Sequence, residues 1–181
     1  LMSKFDIRYY NKNNFGNEIT EPKKIDVKNT KHIVNLINNA KKPILLVGQG
    51  CNDYSEKLRS FAIKSNIPVT TTIHAMVVFD ETPPLSLEFL GMHGNVAANY
   101  AIQDADLIIA LGTRFDDRIT GALDKYAPKA FKAFNEGKGG IIHVNKNDKE
   151  IGNIIDSHYN FHADCGDFLD SINPHYRERE E

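Results

Sequence analysis

The chain has 181 residues, of which 41% are apolar and 25% are charged, proportions typical of a globular domain with a buried core. Its 22 basic and 24 acidic side chains give a net charge of −2 and are scattered along the sequence, which argues against a nucleic-acid-binding surface. Two cysteines are too few for a disulfide framework or a metal site, and no apolar run predicts a membrane span or a secretory signal.

The first part of the chain differs in pattern from the rest. Residues 1–28 show neither helical nor strand periodicity, so we expect a linker or a weakly ordered arm there. Asn29 or Thr30 is a suitable N-cap for a helix whose apolar stripe begins at Ile33 and which Pro43 ends.

From there the sequence alternates between apolar runs and amphipathic segments. The apolar runs predict strands at residues 44–47, 68–72, 107–111, 141–144 and 160–163. The amphipathic segments predict helices at residues 53–65, 96–104, 123–134, 149–155 and 167–172. This alternation implies a doubly wound, Rossmann-like α/β fold with a mostly parallel sheet of five to six strands and helices on both faces. Residues 29–173 would form this domain, and residues 174–181 a polar tail.

The most informative loop follows the apolar run 106–110. It holds Arg114, Asp116, Asp117 and Arg118, at the end of a predicted strand where α/β folds bind ligands. In an extended chain the two arginines share a face and can clamp a phosphate or a carboxylate. Alternatively, the two aspartates pair with them at the surface, which would contribute only about 0–1 kcal/mol per pair.

Three other loops can carry a ligand, each with a plainer alternative. Gly48-Gln49-Gly50 is a glycine turn, but Asp53 stands where a dinucleotide fingerprint has its third glycine, so it can also be an ordinary strand-to-helix turn. The threonines at 70–72 can donate to a phosphate or a ring carbonyl, or they can simply fill a strand. His93, in the loop 90–94 before a helix, is a polar contact, a helix cap or a buried core residue.

Two polar residues close the predicted later strands. Asn145 stands where many dinucleotide folds place an acidic residue that binds a ribose diol, and it lacks the charge. Asp164 is either the N-cap of the last helix or a contact to an adenine or a ribose.

The segments at 67–72, 84–87, 90–94, 98–101, 105–107 and 112–121 together resemble those of acetohydroxyacid synthase (acetolactate synthase) catalytic subunits, a family of thiamin-diphosphate enzymes. The resemblance covers residues 30–172 and is to the central domain, which carries FAD in that family. Residues 136–143 resemble an insertion of fungal forms, which implies a eukaryotic, mitochondrial parent; otherwise the protein would be cytoplasmic.

The resemblance implies a set of FAD contacts: Gly48, Gln49, Gly50, Asn52, Thr72, Ile73, His74, Leu90, Gly91, Met92, His93, Gly112, Thr113, Arg114, Asp116, Arg118, Ile119, Asn145, Asp164 and Cys165. It also places Met92, Asp117 and Arg118 near the thiamin site, where Arg118 would hold the carboxylate of the second 2-ketoacid.

The family's remaining parts are expected elsewhere in the parent. Thiamin diphosphate and Mg²⁺ bind to other domains, the parent is a homodimer, and a regulatory subunit is a further candidate partner. No catalytic residue and no metal ligand is expected in this chain, which alone would lack synthase activity. Two other interpretations remain: an NAD-binding domain of an unrelated enzyme, and an interaction scaffold without a ligand.

Overall fold

The described residues form a parallel six-stranded sheet with helices on both faces. The structure is a computed structural model that describes residues 21–22, 25, 27–80 and 84–175. The strands are β1 Pro43–Val47, β2 Val69–Thr71, β3 Ser86–Phe89, β4 Leu107–Leu111, β5 Gly140–Asn145 and β6 Tyr159–His162. The helices are α1 Val27–Asn39, α2 Ser55–Ser65, α3 Val96–Asp104, α4 Asp117–Thr120, α5 Pro128–Asn135 and α6 Cys165–Ile172. This architecture confirms the predicted doubly wound α/β fold.

The sheet has the strand order β3-β2-β1-β4-β5-β6 with every pairing parallel. Residues of β1, β4 and β5 are buried throughout, because helices cover both faces of these strands. Side chains from α1, α2 and α6 form the core on one face, and those from α3 and α5 form the core on the other. The order reverses between β1 and β4, so the carboxyl ends of these two strands flank the switch point of the fold.

The edge strand β3 was not predicted. Its sequence Ser-Leu-Glu-Phe lacks an apolar run, its residues are only partly buried, and Glu88 has a φ of +61°. The pairing of β3 with β2 is irregular between Val69 and Thr71. Its polar and apolar residues alternate, but over only four positions, which is too short to predict a strand.

Several predicted helices differ from the observed ones. The first helix begins at Val27, so Asn29 and Thr30 lie inside it and neither is its N-cap. The helix predicted at 53–65 begins as a 3-10 helix, Gln49–Tyr54, before α2.

Two further helix predictions fail at particular residues. The segment 123–134 is interrupted at Ala127, which has a φ of +48°, and α5 starts at the following Pro128 because proline suits the first turn of a helix. The helix predicted at 149–155 is wrong: only the 3-10 turn Asp148–Glu150 forms, and Gly152 turns the chain with a φ of +67°.

The chain ends predicted from the sequence lie largely outside the described residues. This applies to most of the arm predicted at 1–28 and to most of the tail predicted at 174–181. Among the helices that the structure describes, none has the length and apolar character needed to cross a bilayer.

Candidate functional site

A cavity of about 680 Å³ lies at the switch point, beyond the carboxyl ends of the strands. Its walls come from the loops that follow β1, β2, β3, β4 and β5. This volume is typical of small-molecule sites, which span about 300–1,000 Å³.

The floor of the cavity is formed by main chain in direct contact. Gly50 N donates to Gly112 O at 3.1 Å, and Gly48 N donates to Leu111 O at 2.8 Å. A Cβ atom added at Gly48 would lie 2.3 Å from Gly112 O, so only glycine permits this approach. Gly112 itself has a φ of +61°. The glycine turn is therefore more than an ordinary strand-to-helix connection, because it joins the two central strands at the cavity.

The structure brings most of the predicted contacts together around this cavity. The lining residues that the sequence predicted are Gly48, Gln49, Gly50, Thr72, Ile73, His74, Leu90, Met92, His93, Gly112, Thr113, Arg114, Asp116, Asp117, Arg118, Ile119 and Asn145. Phe89, Asn147 and Glu150 also line the cavity and were not predicted. Phe89 belongs to the missed strand β3, Glu150 lies in a segment predicted as helix, and Asn147 lies just before that segment.

Asn52 and Gly91 support the cavity wall from behind. Asn52 Nδ2 donates to His74 O at 3.4 Å. Gly91 has a φ of +117°, and a Cβ there would lie 2.6 Å from Arg118 O. Met92 N donates to that same carbonyl at 2.9 Å, which joins the loop after β3 to α4. Both residues therefore position neighbours that line the cavity.

Asp164 and Cys165 lie at the start of α6, behind the 3-10 helix that follows β1. Asp164 Oδ1 accepts from Gly166 N at 2.8 Å, which makes Asp164 the N-cap of α6. Asp164 Oδ2 accepts from the Tyr54 hydroxyl at 2.9 Å, and this hydrogen bond, together with burial, raises the pKa of Tyr54 to about 12. Cys165 is buried, as is Cys51. Of the two roles considered for Asp164, the structure shows the helix N-cap.

The threonines in and directly after β2 divide between the two interpretations. Thr70 is fully buried and its hydroxyl donates to Glu88 O at 2.9 Å, so it pairs β2 with β3. Thr72 lines the cavity. His93 also lines the cavity, whereas the N-cap of α3 is Asn95, whose Oδ1 accepts from Ala97 N at 2.7 Å.

The charged loop after β4 is not extended throughout, and this corrects the shared-face prediction. Arg118 lies in the short helix α4, whereas Arg114 lies in the irregular loop before it. Between them Phe115 is 1% exposed with a φ of +58°, so its ring turns into the core. Neither arginine forms an ion pair with any residue that the structure describes. Both guanidinium groups at the cavity thus remain available to an anion.

Asp116 lines the same cavity and has one side-chain oxygen that no described residue satisfies. Its Oδ1 atom is buried and has no hydrogen-bond partner among the described residues. Its main-chain oxygen accepts from Ile119 N and Thr120 N, each at 3.0 Å, which fixes Asp116 at the start of α4. A buried acceptor without a partner is costly, and a hydroxyl or N–H group of a ligand would satisfy it.

The side chain of Asn145 is hydrogen-bonded within the protein at both of its polar atoms. It is 8% exposed, its Nδ2 donates to Thr113 O at 2.9 Å, and its Oδ1 accepts from Asn147 N at 2.9 Å. His143 Nε2 lies 2.9 Å from the same Thr113 oxygen. Burial lowers the pKa of His143, which favours the neutral ring.

A second cavity, of about 780 Å³, lies near the amino end of β4, between α1 and α5. Three of the lysines around it are paired: Lys129 with Asp104, Lys132 with Glu136 at 4.0 Å, and Lys138 with Glu136 at 3.4 Å. Because α/β sheets bind ligands beyond the carboxyl ends of their strands, the first cavity is the candidate site. Within the described residues, no three His, Cys, Asp or Glu side chains gather in a way that would hold a metal ion.

A parallel sheet with a glycine-floored crevice at its switch point defines a doubly wound domain of the kind that binds nucleotide cofactors. The chain belongs to the thiamine pyrophosphate enzyme central-domain family, whose model matches residues 30–172.

Curated relatives agree with this assignment. The chain is 44% identical over 153 residues to the mitochondrial acetolactate synthase catalytic subunit of Saccharomyces cerevisiae, a match that covers 81% of this chain and 22% of the relative. It is 46% identical over 126 residues to the mitochondrial acetolactate synthase of Schizosaccharomyces pombe, covering 68% and 19%. It is 41% identical over 143 residues to the chloroplastic acetolactate synthase 2 of Nicotiana tabacum, covering 79% and 20%.

These matches confirm the resemblance that the loop segments indicated. The chain spans about a fifth of the length of these relatives.

Proposed function

We propose that this chain is the FAD-binding central domain of an acetolactate synthase catalytic subunit. The observation that carries the proposal is the convergence of loops far apart in sequence, including residues 48–50, 72–74, 112–119 and 145, on one crevice. The domain would span residues 29–173, with 1–28 as a linker and 174–181 as a tail.

The residues around the crevice fit a flavin nucleotide. The bare main chain at Gly48, Gly50 and Gly112 offers a flat surface without side chains. Arg114 is an exposed cation suited to a phosphate, and Asp116 Oδ1 is a buried acceptor suited to a hydroxyl. The apolar contacts Ile73, Leu90 and Met92 suit a planar ring system. In this family FAD is expected to be structural, with no net redox role in the synthase reaction.

Three residues at one wall would serve the parent enzyme's substrate. In the proposed parent, pyruvate is decarboxylated and its two-carbon unit is added to a second 2-ketoacid; thiamin diphosphate with Mg²⁺, held by other domains, supplies the electron sink for this chemistry. Arg118, at the first turn of α4, would bind the acceptor's carboxylate. Met92 and Asp117 line the same cavity, and Met92 is 74% exposed, as a contact to another domain would require.

The remaining features belong to the proposed parent. It would be a homodimer with its catalytic site completed by other domains, and a regulatory subunit would be a further partner. This chain alone would have no synthase activity. A mitochondrial location follows if the parent is eukaryotic, as in the two yeast relatives, and a cytoplasmic one otherwise.

Cofactor binding is tested on the purified chain. We expect flavin absorbance to remain with the protein on gel filtration after incubation with FAD, and Asp116→Asn to weaken FAD binding. NAD binding without flavin binding would instead support the NAD-binding domain of an unrelated enzyme, and binding of neither would support an interaction scaffold.

The substrate role is tested in the full-length parent. We expect Arg118→Ala to raise KM for the acceptor ketoacid while the fold is retained. Lys125→Ala is the matched control, because Lys125 is an exposed cation outside the cavity wall. Unchanged acceptor kinetics in Arg118→Ala would remove this residue from the proposed role.

A further inference from the structure

The carbonyl oxygen of Thr113 is held by two side chains of β5. Asn145 Nδ2 donates to it at 2.9 Å, and His143 Nε2 lies at the same distance. Gly152 N donates to His143 Nδ1 at 3.5 Å, so Nε2 carries the ring proton and is a donor to Thr113 O. We call this arrangement of Thr113, His143 and Asn145 the carbonyl clamp.

The carbonyl clamp lies directly before a strained part of the cavity wall. Phe115 adopts a left-handed φ of +58° although it is not a glycine, and its amide donates to Thr113 Oγ1 at 3.4 Å. Its ring packs edge-on against His143, with 5.0 Å between centroids and 87° between planes. Such a backbone conformation persists only where the surroundings fix it. Thr113 and Phe115, which are fixed in this way, directly precede Arg114 and Asp116 in the chain, and these two residues line the cavity.

We propose that Asn145 is a positioning residue, which holds the loop at 113–116 in the conformation that presents Arg114 and Asp116 to the bound nucleotide. This inference rests on the proposed function. Both polar atoms of the Asn145 side chain are already hydrogen-bonded, Nδ2 to Thr113 O and Oδ1 to Asn147 N. Asn145 would therefore affect the nucleotide by holding the loop in place. An acidic residue at this strand end, by contrast, would bind a ribose diol directly.

The chemistry of the clamp distinguishes an amide from a carboxylate. An ionised aspartate at position 145 has no N–H group and would place negative charge against the Thr113 oxygen, 2.9 Å away. A protonated aspartate can donate its O–H to that oxygen and restore the clamp. Because the position is buried and faces a carbonyl, the pKa of such an aspartate would be raised. Asn145→Asp should therefore bind FAD weakly at high pH and regain affinity at low pH.

The other titratable groups around position 145 are present in both the wild type and Asn145→Asp. The ratio of the two proteins' dissociation constants for FAD at each pH therefore reports the effect of residue 145 alone. These titratable groups are His143 and Lys146 on and after β5, His162 on β6, Arg114 and Asp116 after β4, and Asp148, Lys149 and Glu150 in the following turn.

The test is FAD titration of the wild type, Asn145→Asp and Asn147→Asp between pH 5 and pH 8. Asn147→Asp adds the same charge to the same wall but keeps an acceptor for Lys149 N, so it measures the effect of charge alone. We expect Asn145→Asp to weaken FAD binding at pH 8 by about 10- to 100-fold, the equivalent of one lost buried hydrogen bond. This loss should shrink toward pH 5, whereas the smaller effect of Asn147→Asp should not change.

Hydrogen exchange of the peptide 112–119 at pH 8, without FAD, gives a readout that does not depend on the ligand. Exchange should be faster in Asn145→Asp than in the wild type and in Asn147→Asp. If the wild type fails to bind FAD, the proposed function fails, and faster exchange still supports the clamp. Equal exchange, or FAD affinity that matches Asn147→Asp at every pH, would overturn the positioning role. Should Asn145→Asp not fold at pH 8, Asn145→Ala serves instead, with the same loss expected at every pH.

Discussion

Replacing Gly48 by alanine tests the main-chain contact under the cavity. The added Cβ would lie 2.3 Å from Gly112 O and 2.6 Å from Thr113 Cα, whereas ordinary contact begins at 3.4 Å. The loops after β1 and β4 would therefore have to separate by about 1 Å. Overpacking of this kind costs about 1–3 kcal/mol, and each weakened main-chain hydrogen bond adds about 1 kcal/mol. The bonds at risk are Gly48 N to Leu111 O and Gly50 N to Gly112 O.

We expect Gly48→Ala to lower the free energy of unfolding in urea by about 3–5 kcal/mol and to weaken FAD binding. Gly137→Ala is the control, because Gly137 has a φ of +70° and a Cβ there meets nothing within 4 Å. It should cost only the left-handed strain, about 1–2 kcal/mol, and leave FAD binding unchanged. If Gly48→Ala were as stable as Gly137→Ala and bound FAD normally, the close contact would not matter to either property.

Three further outcomes follow from the structure. Burial lowers the pKa of His143 and of His158, so the unfolded chain binds more protons than the folded chain as the pH falls through the histidine range. Stability should therefore fall from pH 7 to pH 5, by up to about 1.4 kcal/mol per pH unit for the buried His143 and by less for the more exposed His158. Urea unfolding at several pH values measures this fall, and its absence would mean that both rings are solvated. Tyr126→Phe removes a buried hydroxyl without a partner among the described residues, and should raise the free energy of unfolding by about 1 kcal/mol; a loss of stability in thermal melts would reveal a hydrogen bond to that hydroxyl. Hydrogen bonds from Lys129 and Lys42 lower the pKa of Asp104 to about 2. NMR titration of Lys129→Ala should find a higher pKa for Asp104, and an unchanged pKa would count against the Lys129–Asp104 ion pair.

The central strands were predictable because their residues are buried on both faces of the sheet, and the helices beside them because their apolar residues recur on one face. The strand Leu107–Leu111 and the helix Val96–Asp104 have the bounds that their apolar patterns predicted. The edge strand β3 was missed because its alternation of polar and apolar residues covers only four positions, too few to stand out in the sequence. The helix α4 has four residues, fewer than a helical period needs to be visible in sequence.

The candidate site was predictable as a set of loops but not as a geometry. Strand ends and the family resemblance identified most residues around the cavity. The side chain of Asn145, however, depends on a hydrogen bond to Thr113, 32 residues away in the chain, which no local pattern encodes. The same holds for Phe115, whose positive φ turns its ring inward and separates Arg114 from Arg118.

The pairing of β1 with β4 joins Pro43 to Leu107, and the chain between them forms β2, β3, α2 and α3. Parallel pairs that are distant in sequence form slowly, because loop closure precedes the contacts that reward it. A growing polypeptide that stops before Leu107 lacks one half of the crevice. A small molecule that fits the crevice would bind only chains in which both halves of the crevice have folded. At a concentration 100 times its dissociation constant, it would stabilise the folded state over the unfolded state by about 2.7 kcal/mol. Cofactor supply during synthesis would then govern how much protein accumulates.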